Sequence, residues 1–97
     1  MNFYENEDFK LLVKAIVNIE DEQECISFLD DIMTKKEMAD IAQRLMVAKL
    51  LSEQTVYNKI VEQTGASTAT ISRVNRAYNY GSGGYANMLK KLKGDEE

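Results

Sequence analysis

The sequence contains no histidine and only one cysteine, two residue types on which catalytic and metal sites commonly rely. A lone cysteine cannot form an internal disulfide. Cys25 falls in an apolar stripe with Phe28, Leu29 and Ile32, which predicts a buried small hydrophobe rather than a nucleophile. No carboxylates show metal-ligand spacing beside other ligand types. We therefore predict that the protein is not an enzyme and holds no metal or cofactor.

A long apolar run is also missing, as are proline and any alternating segment of strand length. No segment is therefore a candidate membrane-spanning helix, and the acidic segment 1–10 lacks the basic start and apolar middle of a signal peptide. Apolar residues make up 44% and charged residues 29% of the 97 residues, as in a soluble globular protein. We expect a single cytoplasmic domain over residues 1–97, without a membrane partner.

The formal net charge is −4, which at first sight disfavours nucleic acid as a partner. The charges are unevenly distributed, however. Residues 1–40 hold four Lys or Arg against eleven Asp or Glu, residues 41–80 hold five against two, and residues 81–97 hold three of each. The only net-basic segment, 41–80, is therefore the candidate for contact with DNA, and the acidic segment could help to orient the protein on it.

Apolar residues recur at helical spacing along nearly the whole chain. Before residue 55 they predict helices over about residues 5–18, 21–32 and 34–51, and after residue 80 they predict a helix over about residues 85–93. Each helix has a wide apolar stripe, and helices of this length cannot all converge on one centre in so short a chain. A homodimer is the expected solution, with the first, second and last helices packing against a second copy.

The ends of these helices carry capping signals. Asp21 is the expected N-cap of the second helix, and Thr34 forms a capping box with Glu37 at the start of the third. The apolar stripe predicted for the third helix consists of Met38, Ile41, Ala42, Leu45 and Ala48.

Residues 81–84, Gly-Ser-Gly-Gly, form the clearest loop in the sequence. A phosphate-binding loop would need a preceding strand and a Lys-Ser/Thr ending, so a flexible hinge is the better interpretation. Gly94 is expected to end the last helix and leave a flexible acidic tail over residues 94–97.

Residues 55–80 have the pattern of a helix-turn-helix. Thr55 can cap a short helix with Val56, Ile60 and Val61 on one side, and Gly65 can turn the chain sharply after it. We predict two crossing helices here, joined by a tight turn.

The second helix of this pair is expected to begin at a cap formed by Ser67 or Thr68. Ile71, Val74 and Tyr78 recur at i, i+3 and i+7, so they form an apolar stripe that faces inward. The opposite face carries hydroxyl groups near the helix start and guanidinium groups further along.

This polar face suits duplex DNA. Residues 67–70 are expected at base edges in the major groove. Residues 57–59, together with Arg73 and Arg76, are better placed for phosphates. The predicted DNA-binding residues are Tyr57, Asn58, Lys59, Ser67, Thr68, Ala69, Thr70, Ser72, Arg73 and Arg76. Two alternatives remain open, an ordinary solvated helix pair and a dimeric helical module that binds a protein partner and never DNA.

The run from Thr34 to Arg73, with TKKEMADIAQRLMVAKLL followed by GASTATISR, resembles the Trp repressor superfamily, and the chain is similar to its YerC/YecD-type branch. The resemblance covers about residues 28–93. It implies an all-α, six-helix fold with a helix-turn-helix, an intertwined homodimer, and the regulation of transcription through operator DNA.

The same resemblance implies a corepressor site. In the repressor an indole is held between two arginines, which fall here on Arg44 and Arg73, and Thr34 matches another residue of that site. Two positions depart from the pattern, with Val74 in place of a glycine and Ala77 in place of a serine.

A valine would fill space that the indole needs, and overfilling a packed site costs ~1–3 kcal/mol. We therefore expect an effector other than tryptophan, if one binds at all. For Arg44, a salt bridge to Glu37, Asp40 or another acid is the alternative to a ligand role.

Overall fold

The computed structural model describes residues 2–96 and contains six α-helices, one 3-10 helix and, within that range, no strand. The predicted all-α class is confirmed. By its internal contacts the chain forms two compact units, an N-terminal unit that ends at Lys35 and a C-terminal unit that begins at Lys36. After the 3-10 helix Phe3–Glu5, the helices are α1 Glu7–Val17, α2 Glu22–Ile32, α3 Lys35–Ser52, α4 Tyr57–Thr64, α5 Thr68–Tyr80 and α6 Gly84–Glu96.

Side-chain caps fix the helix starts of the N-terminal unit. The Asn6 side chain accepts hydrogen bonds from the backbone N–H groups of Asp8 (2.8 Å) and Phe9 (3.2 Å). Because this cap lies at residue 6, α1 begins two residues later than the predicted start at Glu5. Asp21 accepts from the backbone N–H of Glu24 at 2.8 Å, so the predicted cap of α2 is confirmed.

Neither α1 nor α2 contains a fully buried residue. The predicted burial of Cys25 is therefore wrong within a single chain, where its side chain is half-buried, and Ile32 is 49% exposed. At the end of α2, the Lys35 ammonium lies 2.7 Å from the Asp30 carboxylate and holds the pKa of that carboxyl below its ordinary value of 3.8.

One apolar cluster forms the core of the C-terminal unit. It consists of Val47, Ala48, Leu50, Ile60, Ala66, Ile71 and Val74, with Leu51, Tyr78, Tyr85 and Leu89 packed against it. The core thus draws on the second half of α3, on α4, on α5 and on α6. Of the stripe predicted for α3, only Ala48 belongs to this core, while Ile41 and Leu45 remain 44% and 37% exposed.

The C-terminus of α3 differs from the prediction. The backbone N–H of Gln54 donates to the Leu51 carbonyl and that of Thr55 to the Leu50 carbonyl, both at 3.0 Å. This is the hydrogen-bond pattern of a Schellman motif, and Gln54 takes the left-handed conformation (φ 62°) that such a motif requires.

Thr55 therefore belongs to the end of α3 rather than to the start of α4. The predicted cap at Thr55 is wrong, since the N-cap of α4 is Val56, which makes no side-chain capping bond. Of the three apolar residues predicted for the inner side of α4, only Ile60 is buried, whereas Val56 is 65% and Val61 37% exposed.

The turn between α4 and α5 agrees with the prediction. Gly65 ends α4 in the left-handed region (φ 73°), where a residue with a Cβ is strained. The Thr64 hydroxyl donates to the Ile60 carbonyl at 2.7 Å and accepts from the backbone N–H of Ala66 at 3.1 Å. The chain reverses over these few residues and places α5 in contact with α4.

The last helix extends beyond the predicted stop. α6 continues through Gly94 to Glu96, because one glycine costs an exposed helix only about 1 kcal/mol relative to alanine and does not by itself end it. Residues 94–96 of the predicted flexible tail are thus helical, and Glu97 lies outside the described residues. None of the described helices is both long and apolar enough to cross a membrane.

Gly81 connects α5 to α6 at a point without room for a side chain. Its backbone N–H donates to the Ala77 carbonyl at 2.9 Å, and a Cβ at Gly81 would clash with that same carbonyl oxygen. Since the obstacle is backbone, a substitution here must displace the end of α5.

We predict that Gly81→Ala lowers the free energy of unfolding by about 1–3 kcal/mol, as for other overpacked sites. Gly94→Ala is the matched control, because a Cβ there meets no atom within 4 Å and alanine favours the helix by about 0.5–1 kcal/mol. Urea unfolding followed by far-ultraviolet circular dichroism measures both variants. Equal stability of the two would contradict the clash at Gly81.

Candidate nucleic-acid interface

Two buried side chains fix which face of α5 points outward. Ile71 and Val74 are 0% and 2% exposed in the core of the C-terminal unit. Residues on the opposite side of the helix are exposed, as predicted, and they include Ser72, Arg73 and Arg76. The polar face predicted from the sequence is therefore at the surface.

Two hydrogen bonds between Ser67 and Thr70 hold the first turn of α5. The Ser67 hydroxyl accepts from the backbone N–H of Thr70 at 3.1 Å and lies 3.0 Å from the Thr70 hydroxyl. Ser67 is thus the N-cap, which confirms one of the two predicted capping residues. Its hydroxyl is engaged within the protein, so the exposed side chains of Thr68 and Ala69 are the more accessible of the four base-edge candidates.

The candidate phosphate contacts are exposed and carry uncompensated charge. Lys59, Arg73 and Arg76 form no salt bridge within residues 2–96, and each is exposed. Tyr57 and Asn58 are also exposed, in the first turn of α4, where backbone N–H groups lack helical partners. The predicted DNA-binding residues on α4 and α5 thus lie on two contacting helices of one compact unit.

A small cleft lies between α3 and α5. It has a volume of about 200 Å³ and is lined by Asp40, Gln43, Arg44, Thr70 and Arg73. We call it the Arg44–Arg73 cleft. The structure therefore brings together two of the three residues assigned to a ligand site by resemblance. Drug-sized ligands usually occupy pockets of about 300–1,000 Å³, so this cleft suits a smaller group.

Of the charged groups around the cleft, the acid has a cationic partner and Arg44 has no acidic partner in the described residues. The Asp40 carboxylate accepts a hydrogen bond from the Lys36 ammonium at 3.0 Å, whereas Arg44 forms no salt bridge in the described part of the chain. The alternative to a ligand role for Arg44, a salt bridge to Glu37, Asp40 or another acid, is therefore not found within the described residues. Lys36, one turn before Asp40 on α3, is the acid's partner, because i,i+4 spacing places the two side chains on one face.

Gln43 holds α3 against the end of α4. Its side-chain amide donates to the Thr64 carbonyl at 3.0 Å in a partly buried hydrogen bond. This carbonyl lies in the last turn of α4, where helical partners are missing. Gln43 is not among the predicted site residues, and its only signal in the sequence is its position one residue before Arg44.

The two departures from the repressor pattern occupy different environments. Val74 is 2% exposed and belongs to the core cluster, so its side chain fills space inside the C-terminal unit. Ala77 is exposed and lines a separate cleft with Gly81 and Tyr85. Thr34 lies in the N-terminal unit, and its role as a ligand residue stays a prediction.

Comparisons with known proteins agree with this architecture. Residues 7–93 match the family described as Trp repressor protein. The chain is 47% identical over 85 residues to the uncharacterized protein YerC of Bacillus subtilis (strain 168), with 88% of this chain and 82% of that protein covered.

Two solved structures have the same fold. A TrpR-like protein from Eubacterium eligens ATCC 27750 superposes with a TM-score of 0.91 at 42% identity, and a candidate Trp repressor from Staphylococcus aureus with a TM-score of 0.88 at 35% identity. In both cases 96% of each chain is covered. The resemblance inferred from the sequence is confirmed, and the chain belongs to the Trp repressor family as a YerC-type, Trp-repressor-like protein.

Proposed function

We propose that the protein is a cytoplasmic, sequence-specific transcriptional regulator that binds double-stranded DNA as a homodimer, with α4 and α5 acting as a helix-turn-helix. The observation that carries this proposal is the outer face of α5. Its orientation is fixed by buried Ile71 and Val74, and it presents Arg73 and Arg76 without acidic partners in the described residues. Membership in a family of regulators supports the same function.

In this proposal the first turn of α5 enters the major groove. Thr68 and Ala69 offer methyl groups to a thymine methyl, and the Thr68 hydroxyl bonds a base edge directly or through water. Neither side chain is a bidentate reader of a base. Specificity therefore depends heavily on bridging water and on the shape of the DNA.

Phosphate contacts surround this first turn. Lys59 and the first turn of α4 approach one strand, and Arg73 and Arg76 supply charge further along α5. Because each neutralised phosphate releases condensed counterions, these contacts make the affinity strongly dependent on salt.

We predict that Arg76→Ala flattens the plot of log affinity against log salt concentration by about 1 per lost contact, hence about 2 for a dimer. Arg73→Ala should act similarly. Lys91→Ala is the matched control, since it removes one exposed positive charge from α6 and leaves α4 and α5 unchanged. Fluorescence anisotropy with genomic fragments selected by the wild-type protein measures the slope. If the wild-type protein selects no genomic fragment at low salt, the proposed DNA function is wrong. A protein partner for the same face of α5 then becomes the better hypothesis.

Homodimer formation is supported by apolar side chains that the single chain leaves exposed. On α1, Leu11 and Val17 are 68% and 75% exposed, and neither α1 nor α2 buries a residue fully. On α6, Met88 and Leu92 are 49% and 42% exposed. Exposed apolar surface on this scale usually marks a protein interface. A two-fold axis would also set two copies of α5 about one DNA turn apart.

A charge placed on the exposed apolar side of α1 should prevent the two copies of the chain from associating. Ile16, 50% exposed on α1, is buried in the proposed interface, and symmetry doubles the effect of any change. We predict that Ile16→Lys raises the dimer dissociation constant at least about 100-fold. Sedimentation velocity over a concentration series measures it, with Glu20→Lys in the exposed α1–α2 link as control. A wild-type protein that sediments as a monomer throughout would refute the dimer.

We propose that tryptophan is not an effector of this protein. Val74 stands where the resemblance places a glycine, and it is packed in the core, so its side chain fills space that an indole would need. Thr34, Arg44 and Arg73 are the residues that resemblance assigns to an effector.

Isothermal titration calorimetry with L-tryptophan should show no binding at micromolar concentrations, because displacing a packed valine costs ~1–3 kcal/mol. Heat of binding that saturates in this range would show that Val74 does not close the site. Arg44→Ala would then report whether the ligand occupies the Arg44–Arg73 cleft.

A further inference from the structure

We propose that the Arg44–Arg73 cleft binds a backbone phosphate of the DNA, so that Arg44, on α3, is a phosphate-binding residue of the DNA interface. This inference rests on the proposed DNA-binding function and extends it from the helix pair α4–α5 to α3. It also gives a direct DNA role to a residue that resemblance assigns to a corepressor site.

The side chains that line the cleft have groups that bind phosphate. Its lining combines the guanidinium groups of Arg44 and Arg73, the Thr70 hydroxyl and the Gln43 amide with one carboxylate, that of Asp40. Guanidinium groups bind phosphate through charge-assisted, often bidentate hydrogen bonds, and hydroxyl and amide groups complete such sites. A volume of about 200 Å³ admits a phosphate group and is small for a larger effector.

The cleft also carries positive charge without an acidic partner in the described residues. Asp40 would repel a phosphate, but its carboxylate lies 3.0 Å from the Lys36 ammonium, which offsets its charge. Arg44 and Arg73 have no acidic partner within the described residues, so two positive charges share one small cleft. An anion bound between the two guanidinium groups attracts both of them and offsets the repulsion between them.

The position of the cleft beside the first turns of α5 also favours a DNA phosphate. Thr70 lies in the first turn of α5, and Arg73 follows one turn later on the same helix. These residues lie on the face that we propose enters the major groove, so the cleft opens beside the DNA backbone whenever α5 is docked. Gln43, bonded to the Thr64 carbonyl at 3.0 Å, fixes α3 beside the turn that precedes α5.

An effector is not required in this arrangement. The buried side chain of Val74 removes space on the core side of α5, and the remaining cleft is polar. The phosphate of the DNA itself then supplies the anion that the two arginines lack, and DNA binding does not wait for a small molecule.

The test compares wild type, Arg44→Ala, Arg44→Lys and the control Lys91→Ala on one duplex. The duplex is a fragment selected by the wild-type protein and cut to about 30 base pairs, enough for two half-sites one helical turn apart. Anisotropy titrations across a salt series give affinity and slope, and thermal unfolding verifies that each variant is folded.

We expect Arg44→Ala to weaken binding roughly 10- to 100-fold at moderate salt and to lower the salt slope by about 2 for a dimer. Arg44→Lys should restore the slope but only part of the affinity, since lysine keeps the charge and loses the bidentate geometry. Lys91→Ala should match the wild type. If the wild type binds DNA and Arg44→Ala leaves both affinity and slope unchanged, this inference is overturned while the proposed function stands.

Neutral methylphosphonate linkages, introduced one at a time in the same duplex, identify the phosphate. At the linkage contacted by Arg44, the losses from the neutral linkage and from Arg44→Ala should not add, whereas they should add elsewhere. Additive losses at every linkage would refute a direct contact.

A free anion is the other source of the same chemistry. Inorganic phosphate titrated without DNA, followed by the NMR signal of the Gln43 side-chain amide, should show only weak binding. Saturation below millimolar phosphate that Arg44→Ala abolishes, together with unchanged DNA affinity in that variant, would assign the cleft to a small anion and overturn the DNA contact.

Discussion

The outward face of α5 depends on the burial of two branched side chains, Ile71 and Val74, against α3 and α4. Each such side chain contributes about 1.5–3 kcal/mol when it is removed from water. Rotating α5 by one residue, about a quarter turn, would expose both and bury part of the polar face. The same apolar contacts that stabilise the C-terminal unit therefore determine where its hydroxyl and guanidinium groups lie.

This core is small for the amount of apolar side chain in the sequence. Seven residues are buried among those described, while isoleucine, leucine, valine and methionine side chains on α1, α3 and α6 remain at the surface. Short chains bury a modest fraction of their surface on folding, and many reach adequate stability only with a partner. We infer that association of the proposed dimer contributes to the stability of this protein.

Local signals in the sequence predict the helices and several of their ends. Ser67 and Asp21 are caps because a short polar side chain precedes an apolar stripe, and Gly65 ends α4 because the turn needs a positive φ. The prediction for Thr55 is wrong because a threonine between two helices can belong to either helix. The hydrogen bond from its backbone N–H to the Leu50 carbonyl assigns it to the end of α3. The buried face of α3 could not be predicted either, because each apolar side of that helix is a plausible inner face until the neighbouring helices are placed.

The candidate site likewise has one part that the sequence predicts and another that only the folded chain shows. The polar face of α5 follows from the spacing of Ile71 and Val74 alone, whereas the cleft joins α3 residues to α5 residues that are nearly thirty positions away in the sequence. Periodicity carries no information about such a pairing. The assignment of Arg44 and Arg73 to one site came from resemblance, and the involvement of Gln43 and Asp40 came only from the folded chain.

The left-handed Gln54 at the end of α3 has a mechanical consequence. A side chain in this conformation costs about 1–2 kcal/mol, and the hydrogen bonds from Gln54 and Thr55 to the Leu51 and Leu50 carbonyls compensate for it. These bonds hold Gln54 and Thr55, two of the four residues that link α3 to α4, against the last turn of α3. We therefore expect a displacement of α3 to move the start of α4, which is one of the two helices proposed to bind DNA.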